Sequence, residues 1–238
     1  MVRIIFLGNG DAFNTHGRLF TSILVDGSFR ILFECGPTTI YALEKKHIPI
    51  NSITHIIVTH NHGDHIGGIP FILLNLRHIN KNKISVICPN STKKLIPKIY
   101  RQFFNDNNFE NTYDVFSPNS KLPFHLRNIS GTHSVPSLIY RLELDGKSIV
   151  YTGDTSKMDL SKFAKYADIL IHEASSLNPE AGQFGHSTPF EAAETAKQSK
   201  VKLLALTHSP KLSGAVKKKV QRIFKNTIFP RDLQEIDI

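Results

Sequence analysis

Hydrophobic and polar positions along the chain follow two periods, and the switches between them mark out the elements. Residues 2–7 form an apolar, β-branched run that reads as a buried strand. Similar runs at 19–26, 29–34, 55–59 and 84–88 predict four more strands, the last stopped by Pro89. Helices are predicted from Pro37 to Lys46, from Ile69 to Arg77 and from Ser91 to Phe104, where Leu95, Ile99 and Phe103 share one face. The segment 105–120, rich in Asn, Asp, Ser and Pro, reads as loop. Strands resume near 122–129, 138–144 and 147–152, and Asp145-Gly146 joins the last two as a hairpin signal. A helix at 157–166, a strand at 168–172, a helix at 189–199, a strand at 202–207 and a basic helix around Lys217 complete the order. In that last helix Val216, Val220, Ile223 and Phe224 make an apolar stripe. Lys217, Lys218 and Lys219 therefore read as its solvated face rather than as a nucleic-acid patch.

Two groups of strands, with helices between and after them, predict two sheets packed face to face and covered by helices. Hairpins and long crossovers both occur, so each sheet should be antiparallel or mixed. No internal repeat, low-complexity tract or linker divides the chain, and residues 1–238 read as a single domain.

Composition narrows the class. With 40% hydrophobic and 21% charged residues the chain is an ordinary globular one. No apolar run approaches the ~18 residues of a membrane span, and the start reads as a strand rather than a signal peptide, so no membrane is expected. Only two cysteines occur, Cys35 and Cys88, neither near a ligand-type cluster; a reduced, cytoplasmic setting and buried, unreactive thiols are expected. The net charge of +9 favours anionic partners, RNA or phosphate compounds.

The chemistry concentrates in Thr59-His60-Asn61-His62-Gly63-Asp64-His65, directly after the strand at 55–59. A solvated histidine-rich turn would explain one His-x-His. The full His-x-His-x-Asp-His at a strand end is the donor set of a divalent metal site. Four candidate ligands exceed the roughly three that one catalytic zinc takes from a protein. Two metals then require more ligands, and three residues share the context of an apolar strand running out: His133, Asp154 and His208. They allow His60, His62 and His133 on one metal and Asp64, His65 and His208 on the other. Asp154 would bridge them from a surface loop outside the core.

These motifs resemble the metallo-β-lactamase superfamily over nearly the whole chain, and within it the ribonuclease Z side. The resemblance rests on Phe6-Leu7-Gly8-Asn9-Gly10, Leu32-Phe33-Glu34-Cys35-Gly36, His133-Ser134-Val135-Pro136-Ser137, Gly153-Asp154-Thr155, His172-Glu173-Ala174-Ser175 and Gly185-His186-Ser187-Thr188. It implies an αββα sandwich, an α/β fold of two mixed sheets flanked by helices, with a dinuclear site at one edge. Three departures stand out. Glu34 occupies the place of the usual early aspartate and is expected to support the metal loop. Only residues 134–153 separate His133 from Asp154, and a hairpin fills them, so the long arm with which ribonuclease Z grips transfer RNA is absent. The chain after His208 also departs, reading Ser209-Pro210-Lys211-Leu212.

Two metals about 3.5–4 Å apart can share a hydroxide, and metal binding brings a water's pKa from ~15.7 to ~7. An all-nitrogen-and-oxygen ligand set suits two divalent ions, zinc first, with manganese, iron or cobalt as alternatives. Asp64 is counted as catalytic as well as a ligand. So is His186 as a catalytic group: Thr188, Pro189 and Glu191 form a capping box, which stands His186 beside a helix N-terminus that attracts anions. There it could protonate a leaving alkoxide. His172 and Glu173 read as supporting residues, since the seven ligands are complete without them. His16, His47, His55, His78 and His125 have no ligand context.

The expected function is hydrolysis by a hydroxide held between two metals, acting on small or unstructured phosphodiesters or on RNA. The alternatives are transfer RNA 3′ processing, lactone or carboxylic ester hydrolysis, and non-catalytic nucleic-acid binding. A homodimer is expected by analogy alone.

Overall fold

Alternation in β1 (Arg3–Gly8) sends Ile4 and Phe6 to one side and Ile5 and Leu7 to the other, and all four are buried. A strand buried on both faces must lie between two layers. The computed structural model, which describes residues 1–79, 83–106 and 110–238, supplies both.

The first sheet contains β1, β2 (Ser22–Asp26), β3 (Arg30–Phe33), β4 (His55–Ile57), β5 (Ile84–Ile87), β6 (Tyr113–Phe116) and β13 (Gln234–Asp237), in the order β13-β1-β2-β3-β4-β5-β6. The second contains β7 (His125–Ser130), β8 (Leu138–Leu144), β9 (Lys147–Tyr151), β10 (Ile169–Glu173), β11 (Leu203–Thr207) and β12 (Thr227–Ile228), in the order β12-β11-β10-β9-β8-β7. Both are mixed: β3 to β6 pair in parallel, as do β9 to β12, while the remaining neighbours pair antiparallel.

Phe6, Ile31 and Phe33 of one sheet meet Tyr140, Tyr151 and Ile171 of the other in the central core. The outer face of the first sheet is covered by α1 (Thr39–Lys45), α3 (Ile69–His78) and α4 (Asn90–Phe104), and that of the second by α5 (Pro189–Ser199) and α6 (Gly214–Ile223). The expected αββα sandwich is therefore present. Among the described residues no helix is long and apolar enough to cross a membrane.

Several expectations need correction. Residues 105–120 do not form only loop: Tyr113–Phe116 pairs with β5 as an edge strand, its turn-forming neighbours hiding a short apolar-polar alternation. Residues 107–109 of that segment lie outside the described residues. The helix expected at 157–166 is a series of turns. Asp159 accepts from the amide of Ser161 at 2.8 Å, a local side-chain turn that competes with a helix start, and the Arg141 guanidinium takes the carbonyls of Phe163 and Lys165 at 3.0 and 2.9 Å. The strand expected from 19 begins at Ser22, because the Leu19 carbonyl accepts from Gly10 instead. Two short C-terminal strands, β12 and β13, also escaped the periodicity; two to four residues carry too little pattern to register.

What matters for the site is strand direction. The C-terminal ends of β4, β9, β10 and β11 bear the chemistry-rich segments. The two sheets are joined at that edge by Leu138 N donating to Thr59 O at 3.1 Å and by Tyr140 Oη donating to Val58 O at 3.0 Å.

Candidate metal centre

The chain leaves β4 at Ile57 and reaches His60, turns through α2 (Gly63–Ile66), a single helical turn, and so brings four polar side chains of one loop to the sheet edge. His133 arrives from the segment after β7, Asp154 from the end of β9 and His208 from the end of β11. All seven converge. Asp154 stands at the centre, with its carboxylate oxygens 3.4 Å from His65 Nε2, 3.6 Å from His208 Nδ1, and 3.8 Å from both His60 Nε2 and His133 Nε2. Asp154 is only 2% exposed, so the expectation of a surface loop is corrected: the strand end that carries it lies under the other ligands.

Two groups form around it. His62 Nδ1 lies 3.1 Å from both His60 Nε2 and His133 Nε2. Asp64 Oδ2 lies 3.2 Å from His65 Nε2 and 3.1 Å from His208 Nε2. Among the described residues the donor atoms gather in overlapping sets: His60, His62 and His133 with Asp154; Asp64, His65 and His208; Glu34, His60 and His65; and Asp154, His186 and His208.

Supporting hydrogen bonds decide which nitrogen faces inward. The Thr59 hydroxyl donates to Glu34 Oε1 at 2.5 Å, so it accepts from His60 Nδ1 at 2.9 Å and leaves Nε2 with its lone pair. His133 Nδ1 donates to the Gly185 carbonyl at 2.9 Å, with the same result. The Ser175 hydroxyl donates to Glu173 Oε2 at 2.6 Å and accepts from His208 Nδ1 at 2.8 Å, again freeing Nε2. Glu34 faces His65 Nδ1 at 3.5 Å. Such orientation by carboxylates and carbonyls is how proteins prepare imidazole for metals.

The residues fit divalent ions on a direct test. At the first group two lone-pair nitrogens, His60 Nε2 and His133 Nε2, point at the same His62 nitrogen, which can offer at most one proton. Both ring nitrogens of His65 and Asp154 Oδ1 are buried without a hydrogen-bond partner. Charge points the same way. Burial disfavours protonated His65, yet Asp154 and Glu34 outweigh it and raise its pKa well above the ordinary value, so the cluster calls for positive charge. Burial and the neighbouring His65 hold His60 well below its ordinary value, in the neutral form a metal needs. Burial alone would raise the Asp64 carboxyl, but the His208 and His65 rings, 3.1 and 3.2 Å away, hold it well below the usual carboxylate range.

Backbone strain gathers here. Glu34 and His208 both lie in the left-handed region, at φ 60° and 46°, which non-glycine residues seldom occupy away from functional positions. Gly153, at φ 54°, could carry no side chain: a Cβ would stand 2.5 Å from the Thr59 hydroxyl.

His186 lies at the border of the cluster: it forms a donor set with Asp154 and His208, 3.9 Å from the Asp154 carboxylate, and lies outside the set of His60, His62 and His133. Its Nδ1 donates to Glu173 Oε1 at 3.1 Å and its ring stacks on His208 at 5.9 Å. Burial opposes its charged form, but the hydrogen bond and charge of Glu173 outweigh that, raising its pKa. The capping box at Thr188 is present as expected. The anion-attracting helix end is not: the amides of Ser187, Thr188 and Glu191 already donate to Glu173, Glu191 and Thr188. His172 is buried on β10 with Nδ1 on the Glu173 carbonyl, and it joins no metal-holding group among the described residues.

A cleft of about 300 Å³ opens onto His186 and His208. Phe13 and Phe184, 88% and 70% exposed, stand in its walls. Asp11 holds Phe13 there, accepting from the amides of Phe13 and Thr15 at 3.1 and 3.0 Å. Sequence reading missed both aromatics, and the roles of Thr59 and Ser175. The signal was a lone phenylalanine in an otherwise small and polar loop, in Asp11-Ala12-Phe13-Asn14 and again in Gly182-Gln183-Phe184-Gly185.

Comparison with known proteins gives the context. A family model described as the anti-Pycsar protein Apyc1 matches residues 2–225. A ribonuclease Z of Saccharolobus islandicus is 28% identical over 301 aligned positions, covering 100% of both chains. The 301 positions exceed the 238 residues here, so that relative carries stretches without a counterpart. Among solved structures, the metallo-β-lactamase fold protein YhfI from Bacillus subtilis superposes with a TM-score of 0.86 at 20% identity, covering 99% of this chain and 98% of that one. The short form of human tRNase Z superposes at 0.82 with 24% identity, covering 99% of each.

Proposed function

The chain belongs to the family of the anti-Pycsar protein Apyc1, and from that premise we propose that it is a metal-dependent hydrolase of small or unstructured phosphodiesters. It is a ribonuclease Z-like member of the metallo-β-lactamase superfamily, and hydrolysis is the activity in the names of its relatives. In this reading His60, His62 and His133 would hold one divalent ion and Asp64, His65 and His208 a second, with the Asp154 carboxylate within reach of both groups. Bound there, divalent ions, zinc first among them, supply Lewis-acid chemistry and acidify the water that attacks phosphorus.

The chain's own residues do the rest. Thr59, Gly185 and Ser175 keep the imidazoles turned inward through the hydrogen bonds given above. Glu173 holds His186 by Nδ1, which leaves Nε2 as the nitrogen to give a proton to the departing alkoxide. Asp64 holds its negative charge toward His65 and His208 and so keeps both rings in register. Phe13 and Phe184 offer faces against which a flat ester group can stack, while excluding water from one side of the cleft.

The observation that carries the small-substrate reading is the span between His133 and Asp154. The two-stranded hairpin β8–β9 fills it, with strands paired from Tyr140↔Tyr151 to Leu144↔Lys147. A gripping arm has no place there, and a cleft of about 300 Å³ accommodates a small molecule rather than a folded RNA. Transfer RNA 3′ processing is the second reading, favoured by the names of the Saccharolobus and human relatives. A cytoplasmic setting belongs to the same proposal: Cys35 and Cys88 are free and buried, and burial pushes each thiol up to about 12, where it is inert.

The test is hydrolysis of a chromogenic phosphodiester against a chromogenic lactone, each with and without a chelator. Chelator-sensitive cleavage of the phosphodiester alone is expected. Preferential lactone cleavage would overturn the phosphodiesterase reading, and cleavage indifferent to the chelator would overturn the metal-dependent one.

A further inference from the structure

A second cavity lies apart from the cleft and shares none of its lining residues. It encloses about 280 Å³ between the loop that follows β11 and the C-terminal segment 229–232. The floor is apolar, made by Leu206, Pro210, Leu212, Phe229 and Pro230. The rim is cationic, made by Lys211, Lys217 and Arg231.

Three observations make it a formed recess rather than an accident of the surface. The Arg18 guanidinium donates to Ser209 O and Pro230 O, both at 2.9 Å, and so ties the two walls at a fixed spacing. Asp232 is the one carboxylate among the lining residues, and it is already engaged: its oxygens accept from the amides of Asn9 and Leu19 at 3.0 and 2.8 Å, with Arg18 Nε 3.9 Å away. Lys211, Lys217 and Arg231 have no carboxylate partner among the described residues. Lys217 is not part of a purely solvated helix face, as the sequence pattern suggested. Its Nζ lies 5.3 Å from the Phe229 ring centroid, which sets its charge over the cavity floor.

A recess with an apolar floor and unpaired cations at its mouth selects for both properties at once. A bare inorganic anion would leave the floor in contact with water. A neutral apolar molecule would leave three cations unanswered and partly desolvated. A nucleic-acid backbone needs an open track for a row of phosphates, which a recess does not provide. We propose that this cavity is a binding site for a small amphiphilic organic anion, a phosphate, sulfonate or carboxylate head on a flat apolar body. The apolar body would lie on Leu212 and Phe229, and the head would meet Lys217 and Arg231. The site is independent of the hydrolytic reading of the metal centre.

The probe is 1-anilinonaphthalene-8-sulfonate, titrated by fluorescence against the full chain. Its neutral analogue N-phenyl-1-naphthylamine and inorganic sulfate serve as the two half-probes. Saturable binding of one dye per chain is expected, with each half-probe weaker by about tenfold or more. Lys217→Glu and Arg231→Glu should each weaken the dye by about tenfold, while Phe184→Ser, at the other cleft, leaves it unchanged. Unchanged circular dichroism shows that the variants remain folded; the milder Lys217→Gln replaces any that does not. The proposal is overturned by equal binding of the neutral analogue, by wild-type affinity in the charge-reversed variants, or by loss of binding in Phe184→Ser. Displacement by inorganic polyphosphate as effectively as by the dye would mark a track for phosphates and overturn it too.

Discussion

Glu173 Oε1 and His186 Nδ1 are joined by a hydrogen bond of 3.1 Å. The same oxygen accepts from the amides of Thr155 and Ser187, so the imidazole is anchored to a carboxylate that is itself fixed and buried. His186 is thus oriented toward the cleft, beside Asp154 and His208. His186→Gln should lower kcat by about 10²–10⁴-fold, the usual contribution of a positioned proton donor. Its metal content should match the wild type. Loss of metal in that variant would move His186 into the ligand set.

Asp154 touches both groups. The chain reconstituted with excess zinc should retain two ions by metal analysis, and Asp154→Ala should retain fewer and show no turnover while its far-ultraviolet circular dichroism is unchanged. One ion or none in the wild type contradicts the dinuclear account. Turnover persisting in Asp154→Ala removes the residue from between the metals.

The Thr59 hydroxyl lies between Glu34 and His60, donating to one and accepting from the other. Thr59→Val keeps the shape and deletes both bonds. It leaves a fully buried carboxylate short of a donor, which costs about 1–3 kcal/mol. It also frees the His60 ring, so metal affinity should fall about 10–100-fold. Denaturant unfolding and competition with a chromogenic chelator measure the two effects separately. Unchanged affinity would show that the hydroxyl does not orient His60.

Away from the site, Asp168 accepts from Ser148 N at 2.8 Å and from Lys202 Nζ at 2.8 Å, tying the starts of β9, β10 and β11. Burial would raise its pKa, but the Lys202 and Ser148 hydrogen bonds outweigh that and lower it. A lowered folded-state pKa contributes stability above the unfolded value of ~3.9 and loses it as pH falls through the folded value. Asp168→Asn should therefore cost about 1.5–3 kcal/mol at neutral pH, with the gap to wild type closing below pH ~4. A gap independent of pH would show that charge plays no part in it.

The cluster was legible because its segments share one context, the chain just past an apolar strand, and such ends collect at one edge of a sheet. The two-residue spacing of His60, His62 and Asp64, with His65 next to the last, carried most of that signal. Residues that act through others were not legible. Thr59 and Ser175 look like ordinary strand-end hydroxyls until Glu34 and Glu173, 25 and 2 residues away in sequence, are seen to receive their protons. Phe13 and Phe184 are separated by most of the chain and come to one cleft only because the loop after β1 and the 3₁₀ turn Pro179–Phe184 both line it.

The fold was legible where burial on both faces or one face left a period, as in β1 and α4. It was lost where few residues were involved or where side chains took over the backbone. The segment 157–166 is a case: Asp159 folds back on the amide of Ser161 and the chain runs as turns where the local pattern favoured a helix. The helix end beside His186 failed differently. The capping box was read correctly, but the box itself and Glu173 consume the amides that were expected to meet an anion.

The central claim is that this site acts on small or unstructured phosphodiesters, because no arm grips a folded RNA between His133 and Asp154. Binding energy from contacts distant from the scissile bond is what positions a large substrate, and the hairpin β8–β9 leaves no room for the element that supplies it. The excess positive charge can still attract RNA, in a salt-sensitive and unselective way. The measurement is kcat/KM for a short phosphodiester and for a 3′-extended transfer RNA precursor, side by side at physiological salt with the zinc-loaded protein. The account predicts the higher value for the short phosphodiester and no site-specific cut in the precursor. Faster cleavage of the folded precursor, at one position at its 3′ end, would contradict it.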